Sequence, residues 1–375
     1  MTTNKHNTLK SHEKQWILDV ISHRSPEYAS KLEINKVVSE AFKNGLGSLC
    51  YQYIIDDKID CPNDLLNALK NGSFNTLIQN TRIKHIWDEL CKLCVSNNFA
   101  FLPLKGIFLS QYIYKDMALR PMSDIDILLH PNDAEVLYLQ LIELGASSSE
   151  PDYVRESETT DHHLPGLTYK GVYIELHRSL MSLDATYKIS LQTIWNNTTT
   201  FNNTQTIAPN INLIYFCLHL YYTTLRGGMR LSWLNDIIVF SKHEHFCNTE
   251  KDFMNTLQRL NLETPIIGIL RATEDIFNYT FTFIESHKLS KKNKSIYKRI
   301  LFLVNNEAEV SGTNYSYEVA LERLKNTDGI ANKWRFIQKR VFNSDSGLDT
   351  SKRILLVSSR MLGMVKQKIS NLFRF

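Results

Sequence analysis

An α+β fold is predicted for this 375-residue chain by two patterns. Between Phe99 and His177, β-prone runs and helix-like runs follow one another as strand, helix, strand, helix and hairpin, an order that makes a small mixed sheet with helices against it. On both sides of this stretch the apolar residues recur at helical spacing instead, so the sheet is expected to lie between two helical regions. The expected divisions are an N-terminal helical region over residues 1–97, a sheet-bearing core over 98–200 and a C-terminal helical domain over 201–375.

The N-terminal region reads as several short helices. Trp16, Ile17, Val20 and Ile21 form one stripe, and Ile34, Val37, Val38, Ala41 and Phe42 form another. Asp60-Cys61-Pro62-Asn63 and Asn71-Gly72-Ser73 read as loops or helix starts. In the core, Phe101-Leu102-Pro103-Leu104 is a short extended run, and Lys105-Gly106 stands at the junction with a helix over Ile107 to Tyr114. A strand follows at Asp124-Ile125-Asp126-Ile127-Leu128-Leu129, then a helix over Asn132 to Leu144 that ends at Gly145, a residue suited to a left-handed cap. Leu167 to Lys170 and Val172 to His177 flank Gly171 as two strand-like runs joined by a turn. Thr198 to Pro209 reads as a polar linker, and the remainder as helices, among them 315–324, 330–341 and 354–373.

Composition narrows the class of protein. With 43% apolar and 22% charged residues the chain is globular rather than disordered. No apolar run approaches the length of a membrane span and the start of the chain has no signal-like apolar region, so a cytoplasmic protein is expected. The 43 Lys and Arg are interspersed with 39 Asp and Glu, giving a net charge of only +4. That balance disfavours a dedicated nucleic-acid binder. Cys91 and Cys94 have the spacing of half a metal knuckle without a second half, and in a helical pattern they read as small apolar residues.

The chemistry-bearing residues stand on the strands. A strand repeats every two residues, so Asp124 and Asp126 share a face while Ile125 and Ile127 take the other. Two adjacent carboxylates repel and are costly to desolvate unless a cation compensates, which a divalent metal does; the competing reading is a strand-end pair satisfied by solvent or backbone amides. Glu175 and His177 likewise share a strand face. If their strand lies beside that of Asp124, the site gains a third carboxylate, and three oxygen ligands suit magnesium in phosphoryl or nucleotidyl transfer. Gly106 at a strand-to-helix junction lets backbone amides approach an anion. Arg120 is placed to reach a phosphate or to pair with an aspartate. Arg230 and Asp236, six apart on one helix, are expected to pair with other elements.

Taken in order, Phe101-Leu-Pro-Leu-Lys105-Gly106, Tyr114 to Leu129 with its Arg120-Pro-Met-Ser-Asp124-Ile-Asp126, His162-His163, Tyr173-Ile-Glu175-Leu-His177, Leu218-His219 and Arg230-Leu-Ser-Trp233-Leu-Asn-Asp236 resemble the uncharacterised nucleotidyltransferase family of the DNA polymerase beta superfamily. The resemblance implies a polymerase beta-like nucleotidyltransferase core. It also implies that Asp124, Asp126 and Glu175 are the catalytic, metal-binding carboxylates, with Lys105, Gly106, Arg120 and His177 toward the nucleotide. The superfamily's glycine is commonly followed by serine or glycine, whereas Ile107 follows Gly106 here. The implied activity moves a nucleoside monophosphate from a triphosphate, with ATP the expected donor and Mg²⁺ or Mn²⁺ the cofactor, to a hydroxyl of a small molecule or of a protein or peptide, with nucleic acid the less favoured acceptor. The alternatives are a non-catalytic binding or regulatory protein of the same fold, and a membrane-peripheral one held by the amphipathic run over 354–373.

Overall fold

The computed structural model of the chain describes residues 11–306, apart from 25, 27, 29–31, 151–161 and 184. Four helices come first: α1 (His12–Ile21), α2 (Ile34–Lys43), α3 (Gly47–Asp56) and α4 (Asn63–Ser96). Here α4 corrects the sequence reading, because it continues unbroken through Asn71-Gly72-Ser73. The reason is packing. A Cβ on Gly72 would lie 2.1 Å from Phe42 Cζ, and a Cβ on Gly47 2.6 Å from the same atom, so the two glycines admit the Phe42 ring from α2. An interior glycine costs a helix about 1 kcal/mol, which this close approach offsets.

The central sheet contains β1 (Phe101–Pro103), β2 (Asp124–Leu129), β3 (Ser147–Ser148), β4 (Leu167–Tyr169) and β5 (Val172–His177) in the order β1-β2-β5-β4-β3. The pair β2 and β5 is parallel and the other neighbours are antiparallel. Between β1 and β2 the expected single helix is shorter: α5 (Lys105–Phe108) passes into a π-helical turn over Leu109–Ile113. Between β2 and β3 runs α6 (Pro131–Glu143), closed by Gly145 at φ +94° as expected. Lys170 and Gly171, at φ +47° and +75°, make the β4–β5 turn in the left-handed conformation that matches strand twist.

One sheet face is apolar. Ile125 and Ile127 of β2 with Ile174 and Leu176 of β5 pack against Ile83, Ile86, Trp87 and Leu90 of α4 and Leu137 and Leu141 of α6, all of them buried. Cys94 joins this core, and burial pushes the Cys91 and Cys94 thiols up to about 12, consistent with inert apolar filling. The helix α4 also holds the approach to β2. The fully buried Asn80 amide donates to the carbonyls of Met117 and Arg120 and accepts from the Met122 N–H, while Gln79 donates to the Met122 carbonyl.

Beyond the sheet come α7 (Leu191–Trp195), β6 (Thr198–Phe201), β7 (Thr204–Ile207), α8 (Pro209–Leu225), α9 (Leu231–Lys242), α10 (Glu244–Cys247), α11 (Phe253–Leu260), α12 (Glu263–Phe277) and α13 (Lys291–Asn305). The segment read as a polar linker is the β6–β7 hairpin. Its two-residue turn is Asn202-Asn203 at φ +46° and +60°, and asparagine is among the few residues that tolerate this region. The helices expected over 315–324, 330–341 and 354–373 lie outside the described residues.

Candidate active site

The polar face of the sheet carries the predicted residues. Parallel register sets Asp124 beside Tyr173, Asp126 beside Glu175 and Leu128 beside His177. Strand alternation therefore puts Asp124, Asp126, Glu175 and His177 on one face of two adjacent strands, opposite the isoleucines. The adjacency on which the third carboxylate depended is present.

Asp126 is the hub. Its Oδ1 accepts from Lys105 Nζ at 2.7 Å and from His177 Nε2 at 2.8 Å, and His177 Nε2 also lies 3.4 Å from Glu175 Oε2. Ligand atoms of Asp126, Glu175 and His177 all fall within 4.8 Å of one another. Burial raises the cost of charge on Asp126, but Lys105 and His177 outweigh it and hold the carboxyl well below the usual range. The His177 ring is fully buried, which lowers its basicity, yet its contacts with Asp126 and Glu175 raise it overall. An ionised carboxylate only accepts, so Nε2 carries the proton in this pair. Nδ1 is left buried with no hydrogen-bond partner among the described residues.

Lys105 reaches Asp126 through an unusual backbone. It opens α5 at φ +40°, sparsely populated by a non-glycine residue, directly after the Leu104 N–H bonds the Asp126 carbonyl at 3.1 Å. Burial raises the pKa of Asp124, and repulsion from Asp126 and Glu175 adds to it; Ser123 Oγ donates to its Oδ1 at 3.2 Å. The local sum is three carboxylates against one ammonium and one imidazole. Clustered oxygen donors with an excess of negative charge fit a divalent cation; Asp126, Glu175 and His177 lie close enough together to hold one, His177 only after Nε2 gives up the proton it shares with Asp126, and Asp124 shares their face.

Gly106 and Arg120, both expected toward the nucleotide, lie together beside a buried carboxylate. The guanidinium of Arg120 donates to Asp236 Oδ2 of α9 at 3.0 Å and to the Pro121 carbonyl at 2.8 Å, and a Cβ on Gly106 would meet Arg120 Nη1 at 3.0 Å. Asp236 Oδ1 also accepts from the Tyr114 hydroxyl at 2.8 Å. The lack of a side chain at Gly106 thus makes room for a buried ion pair that joins the approach to β2 to α9. Asp236 does pair with another element, as its spacing from Arg230 implied.

Sequence reasoning passed over Tyr215. It and His219 stand one turn apart on α8, a spacing that puts them on one helix face. Burial pushes the Tyr215 phenol up, with Lys105, Asp126 and Glu175 all close enough to act on it. Burial pushes His219 down to about 3, with further effects from Lys105, Asp126 and Arg120. His162 and His163, one of the family-like motifs, lie with ring centroids 5.4 and 5.5 Å from that of His177. His162 is pushed down to about 2, first by burial and then by His177, His163, Lys105 and Arg226. A groove of about 310 Å³ between α4 and the β4–β5 turn touches Ser123 but contains none of the carboxylates.

The fold and this face define a nucleotidyltransferase-type core with a candidate metal-coordinating cluster. A family model described as an uncharacterised nucleotidyltransferase matches residues 30–278, and the chain belongs to that family. No curated protein matches the chain. Among solved structures it is similar to an antigenic nucleotidyltransferase-like protein from Paracoccidioides brasiliensis, at 19% identity over 49% of this chain and 91% of that one, with a TM-score of 0.28.

Proposed function

We propose that the protein is a metal-dependent nucleotidyltransferase that moves a nucleoside monophosphate from a nucleoside triphosphate, with ATP the favoured donor, to a hydroxyl of a small molecule or of a protein or peptide, releasing pyrophosphate. The observation that carries this reading is the meeting of Asp126, Glu175 and His177 within 4.8 Å on the two parallel strands of a chain of this family. A bound Mg²⁺ or Mn²⁺ would neutralise phosphate oxygens and lower the pKa of the attacking hydroxyl. His177 holds Asp126 and Glu175 in register. Lys105 carries a positive charge beside the face where a polyanion docks. Glu175, half-buried at the edge of the cluster, orients the acceptor hydroxyl, whose oxygen gives up its proton to solvent and bonds to the α-phosphorus as the bond to pyrophosphate breaks.

The balanced surface charge favours a compact acceptor over long RNA or DNA. No helix among the described residues is long and apolar enough to cross a membrane. The test is calorimetric titration of each of the four ribonucleoside triphosphates with Mg²⁺ or Mn²⁺ into the full chain and into Asp124→Asn/Asp126→Asn. Metal-dependent binding that disappears in the variant supports the reading. Metal-independent binding, or none by folded wild type, overturns it in favour of a non-catalytic module.

A further inference from the structure

The sequence Arg230-Leu-Ser-Trp233 opens α9 and has no part in the carboxylate chemistry. Its side chains are nonetheless placed with care. The Arg230 guanidinium lies 5.6 Å from the centre of the Trp233 ring, and the His219 ring meets that indole edge-on at 5.6 Å. Trp233 is half-buried and Arg230 exposed, so part of the pair's surface meets solvent. Four residues before Arg230, Arg226 is exposed at the end of α8. Among the described residues neither arginine has an acidic partner.

Two anchors fix this group relative to the carboxylates. Trp233 and Asp236 are three apart on α9 and so neighbour one another on its surface, and Asp236 grips Arg120, four residues before Asp124. The first turn of α9 is held from outside: the Leu231 N–H donates to Asn44 Oδ1 at 3.4 Å and the Ser232 N–H to the Asn44 carbonyl at 3.0 Å. His219 links the two places, touching Trp233 while feeling the charges of Lys105 and Asp126. An aromatic and guanidinium pair with one further arginine four residues away, joined through Asp236 and Arg120 to the strand that bears the carboxylates, matches a ligand that is flat at one end and polyanionic at the other.

Resting on the nucleotidyltransferase reading, we infer that Arg230 and Trp233 form the stacking platform for the base of the donor nucleoside triphosphate, and that Arg226 contacts its phosphates. Both planar groups stack on any base, so the platform contributes affinity without selecting one base over another. A nucleoside triphosphate gains from the platform; inorganic tripolyphosphate, which has no base, does not.

The experiment is calorimetric titration of ATP and of inorganic tripolyphosphate, each with Mn²⁺, into the full chain and into Trp233→Leu, Trp233→Phe and Arg226→Gln. Wild type binds ATP more tightly than tripolyphosphate. Trp233→Leu weakens ATP by about 10-fold and leaves tripolyphosphate unchanged, and Trp233→Phe restores most of the loss. Arg226→Gln weakens both ligands by about 5-fold, the scale of one charge-assisted contact. Photolabelling of wild type with 8-azido-ATP, mapped by mass spectrometry, keeps the test valid if a variant fails to fold: label falls on the peptide bearing residues 230–233. ATP binding by wild type that Trp233→Leu leaves intact, or label confined to other peptides, overturns the platform while the nucleotidyltransferase reading stands. Binding of neither ligand by folded wild type overturns both.

Discussion

Replacing Asp236 by asparagine isolates the charge that holds the core to α9. The change is nearly isosteric and keeps an oxygen for the Tyr114 hydroxyl, so what disappears is the anion facing Arg120. The side chains of Arg120 and Asp236 are only 12% and 4% exposed, and their closest contact is 3.0 Å. Water cannot replace the lost partner there. Leaving one member of such a pair buried alone costs about 3–5 kcal/mol. With a urea slope of about 3 kcal/mol/M, a loss of about 4 kcal/mol moves the unfolding midpoint down by a little over 1 M, at unchanged slope. Urea titration followed by far-ultraviolet circular dichroism measures this. The complementary variant Tyr114→Phe/Arg120→Met/Asp236→Leu removes the ion pair and the Tyr114 hydroxyl at once and leaves only the buried Asn235 amide short of an acceptor, so it is expected to lose about 1–2 kcal/mol, less than the single change, because exchanging a whole buried ion pair for apolar side chains is often neutral. A midpoint change below about 0.3 M for Asp236→Asn, or a triple variant as unstable as the single one, would refute the idea of a desolvated pair at this joint.

Two further outcomes follow from the same site. Asp124 has its pKa raised by burial and by its neighbours, so it weakens the fold above that pKa and has no such effect below the unfolded carboxylate value near 4; Asp124→Asn should stabilise the metal-free protein by about 1 kcal/mol at pH 7, with the gain vanishing near pH 3.5 in thermal melts. His162 and His219, pushed down to about 2 and about 3, stay neutral in the fold while the unfolded chain protonates below about 6.5, so stability is lost as pH falls from 6.5 toward those values. By pH 5 that loss is at most about 2 kcal/mol for each ring, and His162→Gln/His219→Gln should flatten urea midpoints measured between pH 6.5 and 5; an unchanged slope against pH would show that both rings are solvated.

The parts of the site that were legible in the sequence are those set by local period. Asp124 with Asp126, and Glu175 with His177, declare a shared face because strands alternate. What pairs β2 with β5 is long-range, and the adjacency stood as a condition that only the ordered family motifs supported. Glycine and asparagine misled where their role depended on tertiary context. Gly72 looks like a helix break until Phe42 is seen against it, and Asn202-Asn203 looks like linker although two left-handed residues between threonine-rich runs are a hairpin signal. Arg120 had two open uses on paper, phosphate contact and pairing with an aspartate; the carboxylate it meets is Asp236, 116 residues away, beyond any periodicity argument.

The parallel pairing of β2 with β5 also bears on the order in which the chain is made. Asp126 follows its ammonium partner Lys105 by 21 residues and precedes its imidazole partner His177 by 51. A chain growing from its N-terminus therefore exposes the acidic strand with one neutralising group already synthesised, whereas a complete carboxylate and imidazole cluster waits until β5 has emerged and slid in beside β2. The ion capture proposed for this face would thus be a property of the closed sheet and not of a nascent segment, so a ribosome-bound chain halted before residue 172 should have no high-affinity ion site to stabilise it.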